Sequence, residues 1–179
     1  MKKEKNILIV ISLILISFGA YSQDSDIKEI RSYYYGISNL IEKKQVYCNQ
    51  IELNKFGADA DNWPALGRYN YKATFWYNTA PAQWDEDGEK SLLKVDEINI
   101  YSANSEKREY LYKDGELIFC FINHEDVGEY RFYFANNKLL KYIEKTKTEY
   151  DEEIIYNKNS SNDILEDGKR LLKYYLEMF

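Results

Sequence analysis

Asp114-Gly115 stands between two dense apolar runs, 110–112 and 117–122. A two-residue type I′ turn needs positive φ at both central positions, and Asp-Gly meets that need at little steric cost. The chain must therefore double back here as a β-hairpin. A two-residue turn also fixes which residues face each other: Lys113 with Glu116, Tyr112 with Leu117, Leu111 with Ile118, Tyr110 with Phe119, and Glu109 with Cys120. Opposed residues share a sheet face. This register gathers Tyr110, Tyr112, Leu117, Phe119 and Phe121 on one side, the expected core face. Leu111, Ile118, Cys120 and Ile122 fall on the other side, diluted by Glu109, Lys113 and Glu116.

The design recurs 22 residues later in "YRFYFANNKLLKYI", with Asn136-Asn137 at its tip. There Tyr130, Phe132 and Phe134 are expected to share a face with Leu139 and Ile143, opposite Tyr133 and Leu140. Further strands read from period-two alternation in 69–77 and, more weakly, in 47–53. In "SLLKVDEINIY", Val95 lies in one parity and Ile98 and Ile100 in the other, which predicts a bulge near Asp96-Glu97. "EEIIY" offers another strand. The segments 56–67 and 79–90, rich in Asp, Ala, Gly, Pro and Asn, read as loops.

Two helical patterns bracket these strands. Ile27, Ile30, Tyr33, Tyr34, Ile37, Leu40 and Ile41 recur at helical spacing behind Asp26 and Glu29, a capping-box pair. Asp163 and Glu166 repeat that device ahead of Ile164, Leu165, Leu171, Leu172 and Tyr175. Each helix contains a glycine, Gly36 or Gly168, that costs about 1 kcal/mol against Ala. The expected fold class is α+β: an antiparallel meander of about six to eight strands, with an N-terminal and a C-terminal helix packed on one face.

The first 22 residues read as a signal peptide: Lys2, Lys3 and Lys5, an apolar run over 7–18, then Ala20 and Ser22 flanking a cleavage site before Gln23. That run falls short of the ~20 residues that span a bilayer, and no Cys at the site accepts a lipid. A secreted or periplasmic protein follows, with residues 23–179 as a single α+β domain and no stable membrane span after cleavage. The chain carries 24 basic and 30 acidic residues. The leader removes three Lys and one Glu, leaving 21 against 29 and a net charge of −8. That field repels phosphate backbones, so nucleic acid is not an expected partner.

The motifs of catalysis are sparse. His124 is the only histidine and lies in "NHEDVG", which reads as a solvated loop between hairpins. No G-x-S-x-G elbow accompanies it. Cys48 and Cys120, the only cysteines, read as a disulfide in an oxidising space. Joined by His124 they would number enough ligands for zinc, but no C-x-x-C or H-x-x-x-H spacing supports a metal. Aligning Gly88 with the turn glycine of a calcium loop places Asp85 and Asp87 well, yet puts Gln83 and Lys94 at two ligand positions. Asp59 and Asp61 lack the glycine. No metal and no cofactor is expected.

Recognition remains. Trp63, Trp76 and Trp84 sit in or beside the two loops and the strand between them, and Trp76 has opposite parity to the tyrosines of that strand. An outward Trp beside acidic loops suits a protein or glycan partner. The leading expectation is a non-enzymatic binding module. The alternatives are a small hydrolase using loop carboxylates, with or without His124, and an immunity-type inhibitor whose acidic surface matches a basic partner.

Overall fold

A computed structural model of the protein describes residues 24–55, 69–78, 91–101, 104–146 and 156–178. The chain divides into two compact units, Met1–Gly36 and Ile37–Phe179. The described part of the first unit is helical, and the helix, α1, runs over 24–42. It is already helical at Asp24, so Asp26 sits inside the first turn instead of capping it. Burial follows the expected stripe, with Ile27 and Ile30 buried and Tyr35 exposed.

The second unit holds seven strands: β1 (Tyr47–Lys55), β2 (Tyr69–Tyr77), β3 (Leu92–Ile100), β4 (Ser105–Lys113), β5 (Glu116–His124), β6 (Gly128–Ala135) and β7 (Lys138–Thr146). They form one antiparallel sheet in the order β1-β2-β3-β4-β5-β6-β7, a meander in which every neighbour in sequence is a neighbour in space. A 3-10 turn (Lys158–Ser160) leads into the C-terminal helix α2 (Ser161–Met178). With the N-terminal helix this is the expected α+β meander.

The two hairpin tips have the predicted geometry. Asp114 and Gly115 have φ of 53° and 80°, and Asn136 and Asn137 have φ of 49° and 55°. Beyond the tips the register departs from a plain ladder in the same way twice. After Tyr112 meets Leu117, Ile118 is an unpaired extra residue, so Leu111 meets Phe119 and Tyr110 meets Cys120. After Phe134 meets Leu139, Leu140 is extra, so Tyr133 meets Lys141 and Phe132 meets Tyr142. Each bulge reverses the faces of the strand that follows it. Phe119 and Phe121 therefore lie opposite the expected face, and Cys120 and Ile122 take their places. Tyr142 likewise replaces Ile143.

A third bulge falls at Leu93, where Tyr77 meets Leu92 and Trp76 meets Lys94. The expected bulge at Asp96-Glu97 is absent, because β3 continues in one parity from Val95 through Glu97 to Asn99. Those two polar residues are buried on the side of the sheet that carries Val95.

The front face, under α2, holds the core. Phe75, Tyr110, Tyr112, Phe132 and Phe134 pack with Ile164, Leu171 and Tyr175 of the helix. Burying each such side chain is worth roughly 1.5–3 kcal/mol. The back face buries Leu111, Phe119 and Tyr133 as well, the last two with rings 4.9 Å apart. Asp163 lies in the first turn of α2 and is not its cap. The capping box belongs to Asn157, whose Oδ1 accepts from the Asn159 N–H at 2.8 Å while its own N–H donates to Ser160 Oγ at 3.1 Å. The 3-10 turn starts the helical run before Asp163 is reached.

Candidate functional site

Cross-strand pairing lines the front-face residues into rows. One row beyond Phe75 and Tyr110 runs Ile51, Ala73, Glu97, Arg108, Ile122 and Tyr130, and the next runs Leu53, Tyr71, Asn99, Glu106 and His124. Polar and ionisable side chains thus collect on a face that is otherwise aromatic. Glu97 is 3% exposed, Glu106 5% and His124 8%, so water does little to hold them.

Arg108 organises the group. Its Nε donates to Glu106 Oε1 at 2.6 Å, its Nη1 to Asp167 Oδ2 at 3.1 Å, and its Nη2 to the Tyr156 hydroxyl at 2.6 Å. The Tyr156 hydroxyl in turn donates to Glu106 Oε2 at 2.7 Å. The guanidinium also lies 5.5 Å from the centre of the Tyr156 ring. Burial works against the Arg108 charge, but Tyr110, Tyr156 and Glu106 outweigh it and hold the cation. Burial pushes the Tyr156 phenol well above its usual range, and the hydrogen bond to Glu106 adds to that. The cluster fastens the approach to α2 (Tyr156) and its first turns (Asp167) onto β4.

Glu97 stands beside this knot. It accepts from the Tyr71 hydroxyl at 2.5 Å. Burial pushes its carboxyl above the usual glutamate range, and the hydrogen bond from Tyr71 and the charge of Arg108 do not cancel that. Of this group only His124, which pairs with Glu106 across the strands, was among the residues the sequence singled out. Glu97 and Asn99 share the parity of Val95, and that is the one signal of it the sequence carries.

The back face holds a second charged group. Lys94 Nζ lies 2.9 Å from Asp96 Oδ1 and 2.7 Å from Glu109 Oε2, and Lys107 reaches Glu109 Oε1 at 2.6 Å. Burial alone would lower the Lys94 pKa, but Asp96 and Glu109 together raise it. Trp76 is half-buried here, and its indole N–H donates to Asp96 Oδ2 at 2.9 Å. It does lie opposite the α2 side, as its parity requires. Trp63 and Trp84 lie outside the described residues, as do Asp59, Asp61, Asp85 and Asp87.

Two expectations are corrected. His124 is not a solvated loop residue. It ends β5, buried, across from Glu106, and its Nδ1 accepts from the Asp126 N–H at 3.3 Å. That bond assigns the proton to Nε2 in the neutral ring. Cys48 and Cys120 are not bonded to each other. Cys48 is exposed on the back face of β1, and Cys120 is buried on the front face of β5. Four strand spacings of ~4.8 Å separate them, far beyond the ~7 Å limit for a disulfide. Burial also pushes the Cys120 thiol well above its usual range, so it is not poised as a thiolate nucleophile.

The exposed apolar residues lie elsewhere. Tyr47 and Leu53 of β1, the first strand of the sheet among the described residues, are each 57% exposed. The Tyr47 ring stacks on Tyr77 at 5.8 Å, and Cys48, beside it, pairs with Trp76. No helix among the described residues is long and apolar enough to cross a membrane. Comparison with protein-family models, curated proteins and solved structures gave no match to this chain.

Proposed function

We propose that this protein is a non-enzymatic interaction module of the periplasm or the secreted space, exported by its N-terminal leader. Its binding surface is the β1–β2 margin, where aromatic and acidic side chains meet, and its partner is a protein or a glycan. The observation that carries this reading is the exposed pair Tyr47 and Leu53 on a terminal strand. Natural sheets usually blunt such an edge with charge, proline or a cover, and a chain that leaves apolar side chains there invites pairing. Trp76 lies one strand in, with Asp96 beside it. The ionisable groups of the front face, by contrast, bond to one another and tie α2 down.

The test is affinity capture from the protein's own envelope extract, with wild type beside Leu53→Lys and Trp76→Ala. A partner retained by wild type and lost with Leu53→Lys supports the reading, and equal retention by all three overturns it. N-terminal sequencing of the exported protein should begin at Gln23. Glu97 favours a second reading, a small hydrolase, because a buried carboxyl whose pKa burial raises is the kind of group a general acid uses. Turnover of any ester, amide or glycoside that Glu97→Gln abolishes, in a folded variant, would replace the first reading with the second.

A further inference from the structure

We infer that Tyr130, Tyr142, Glu144 and the backbone carbonyl of Tyr156 form a calcium site that ties β6 and β7 to the approach to α2. Tyr130 is 0% exposed, and its Oη has no hydrogen-bond partner among the described residues. Buried polar groups are paired as a rule, and an exception points to a bound water or ion. Glu144 is the second unmatched group. It stands directly across from Tyr130 in the β6–β7 ladder, half-buried, and forms no ion pair among the described residues. Burial and the Glu144 charge push the Tyr130 phenol up, as befits a hydroxyl beside that carboxylate. Tyr142 completes the group, with its Oη 2.9 Å from Glu144 Oε2 and 2.9 Å from the carbonyl oxygen of Tyr156. Both of these partners are acceptors, and the Tyr142 hydroxyl has one proton to share between them. Burial and the bond to Glu144 push the Tyr142 phenol well above its usual range, so that proton stays in place.

The group is rich in acceptors, poor in protons and carries the charge of one carboxylate. A water would pair the Tyr130 hydroxyl but leave that charge unmatched, whereas a cation answers both. The ligand atoms are all oxygens, which selects a hard cation over zinc or copper. Oxygens held ~2.3–2.6 Å from an ion in a shell of six to eight lie about 3 Å from their neighbours. The two 2.9 Å separations around Tyr142 match that spacing. Magnesium demands a strict octahedron and gives up its waters reluctantly, while calcium accepts backbone carbonyls and irregular shells. With one carboxylate among its ligands the site belongs at the weak end of calcium affinities, a dissociation constant of ~1 mM, as in extracellular modules. Tyr156 also bonds Arg108 and Glu106 through its hydroxyl, so an ion on its carbonyl would brace the same residue from its other end.

The test is denaturant unfolding of the exported protein in ~10 mM calcium chloride and in the same concentration of magnesium chloride. Magnesium screens the net charge of −8 as calcium does, so the difference between the salts reports the site. At ten times the dissociation constant, bound calcium should raise the folding equilibrium constant about eleven-fold. Glu144→Gln still offers Tyr142 an acceptor and should lose that gain. Glu116→Gln, at an exposed acid of the β4–β5 hairpin, should keep it. Tyr130→Phe separates an ion from simple packing. It deletes an unpaired hydroxyl, so in chelator it should be at least as stable as wild type, yet calcium should stabilise it less than about three-fold. Equal stability of wild type in the two salts overturns the inference, as does a calcium gain that survives Glu144→Gln. A Tyr130→Phe variant weakened in chelator, with no calcium gain in wild type, would assign the hydroxyl to a bound water and also overturn it.

Discussion

The hydroxyl of Tyr112, fully buried in β4, donates a 2.8 Å hydrogen bond to the carbonyl oxygen of Gly168 inside α2. Helix and sheet approach this closely because position 168 has no side chain. A Cβ there would sit 2.8 Å from Leu117 Cδ2 and 3.4 Å from Leu117 Cβ and Cγ. Gly36 meets nothing within 4 Å. Equal helix propensities therefore have opposite outcomes. Gly36→Ala should stabilise by up to about 1 kcal/mol. Gly168→Ala gains the same propensity but must displace Leu117 or the helix, an overpacking cost of about 1–3 kcal/mol. Denaturant melts should rank Gly36→Ala above wild type and Gly168→Ala below it. The reverse order would show that Leu117 yields freely.

Glu97 predicts a pH dependence. Burial raises its folded-state pKa above the ordinary 4.5, so the folded chain holds this proton more tightly than the unfolded one. The contribution to stability is fully present below about 4.5 and is lost as pH rises through the raised folded value. Tyr71, Arg108, Asp167 and Arg170 face the group, and in Glu97→Gln the amide oxygen can still accept from Tyr71. The variant should exceed wild type in stability at pH 8, with the difference shrinking towards pH 4.5. Paired melts across that range measure it, and a constant difference would remove Glu97 as the cause.

The turns were legible in the sequence because Asp114-Gly115 and Asn136-Asn137 meet a backbone demand that few residue pairs satisfy. The bulges after them were not. Ile118 and Leu140 are apolar residues in extended chain, and nothing local distinguishes an unpaired position from a paired one. One unread residue in each hairpin was enough to put Phe119 and Ile143 on the wrong face. β3 failed for a different reason. Alternation is read by assuming apolar residues point inward, so Glu97 and Asn99, which break that rule, looked like a slip in register. Arg108 found its partners Tyr156 and Asp167 at separations of 48 and 59 residues. Contacts that distant leave no spacing signature, and the candidate site became visible only with the topology.

The cysteines should behave as two unlike thiols. Cys48 is exposed and Cys120 is buried, so a native alkylation should label one site and denaturation should expose the second. Intact mass of alkylated, unreduced protein gives the count. One label native and two unfolded is the expected result, with Cys48 the first modified by peptide mapping. An intramolecular bond would instead give no label in either state.

Arg108 should be costly to remove for the sake of what it leaves behind. Arg108→Leu strands the side chain of Glu106, 6% exposed, with only Tyr156 to bond it. Breaking one side of a buried pair typically costs about 3–5 kcal/mol, and the lower end applies because the Arg108 side chain is itself 20% exposed and Asp167 29%. Much of that cost is the unpaired charge. Adding Glu106→Gln keeps an acceptor for the Tyr156 hydroxyl while removing the charge, so the double variant should recover at least ~1 kcal/mol over Arg108→Leu. A double-mutant cycle by chemical denaturation at pH 7 measures the coupling. Simple addition of the two single costs would mean that Arg108 acts through its guanidinium over the Tyr156 ring and its bond to Asp167, with the Glu106 ion pair contributing little.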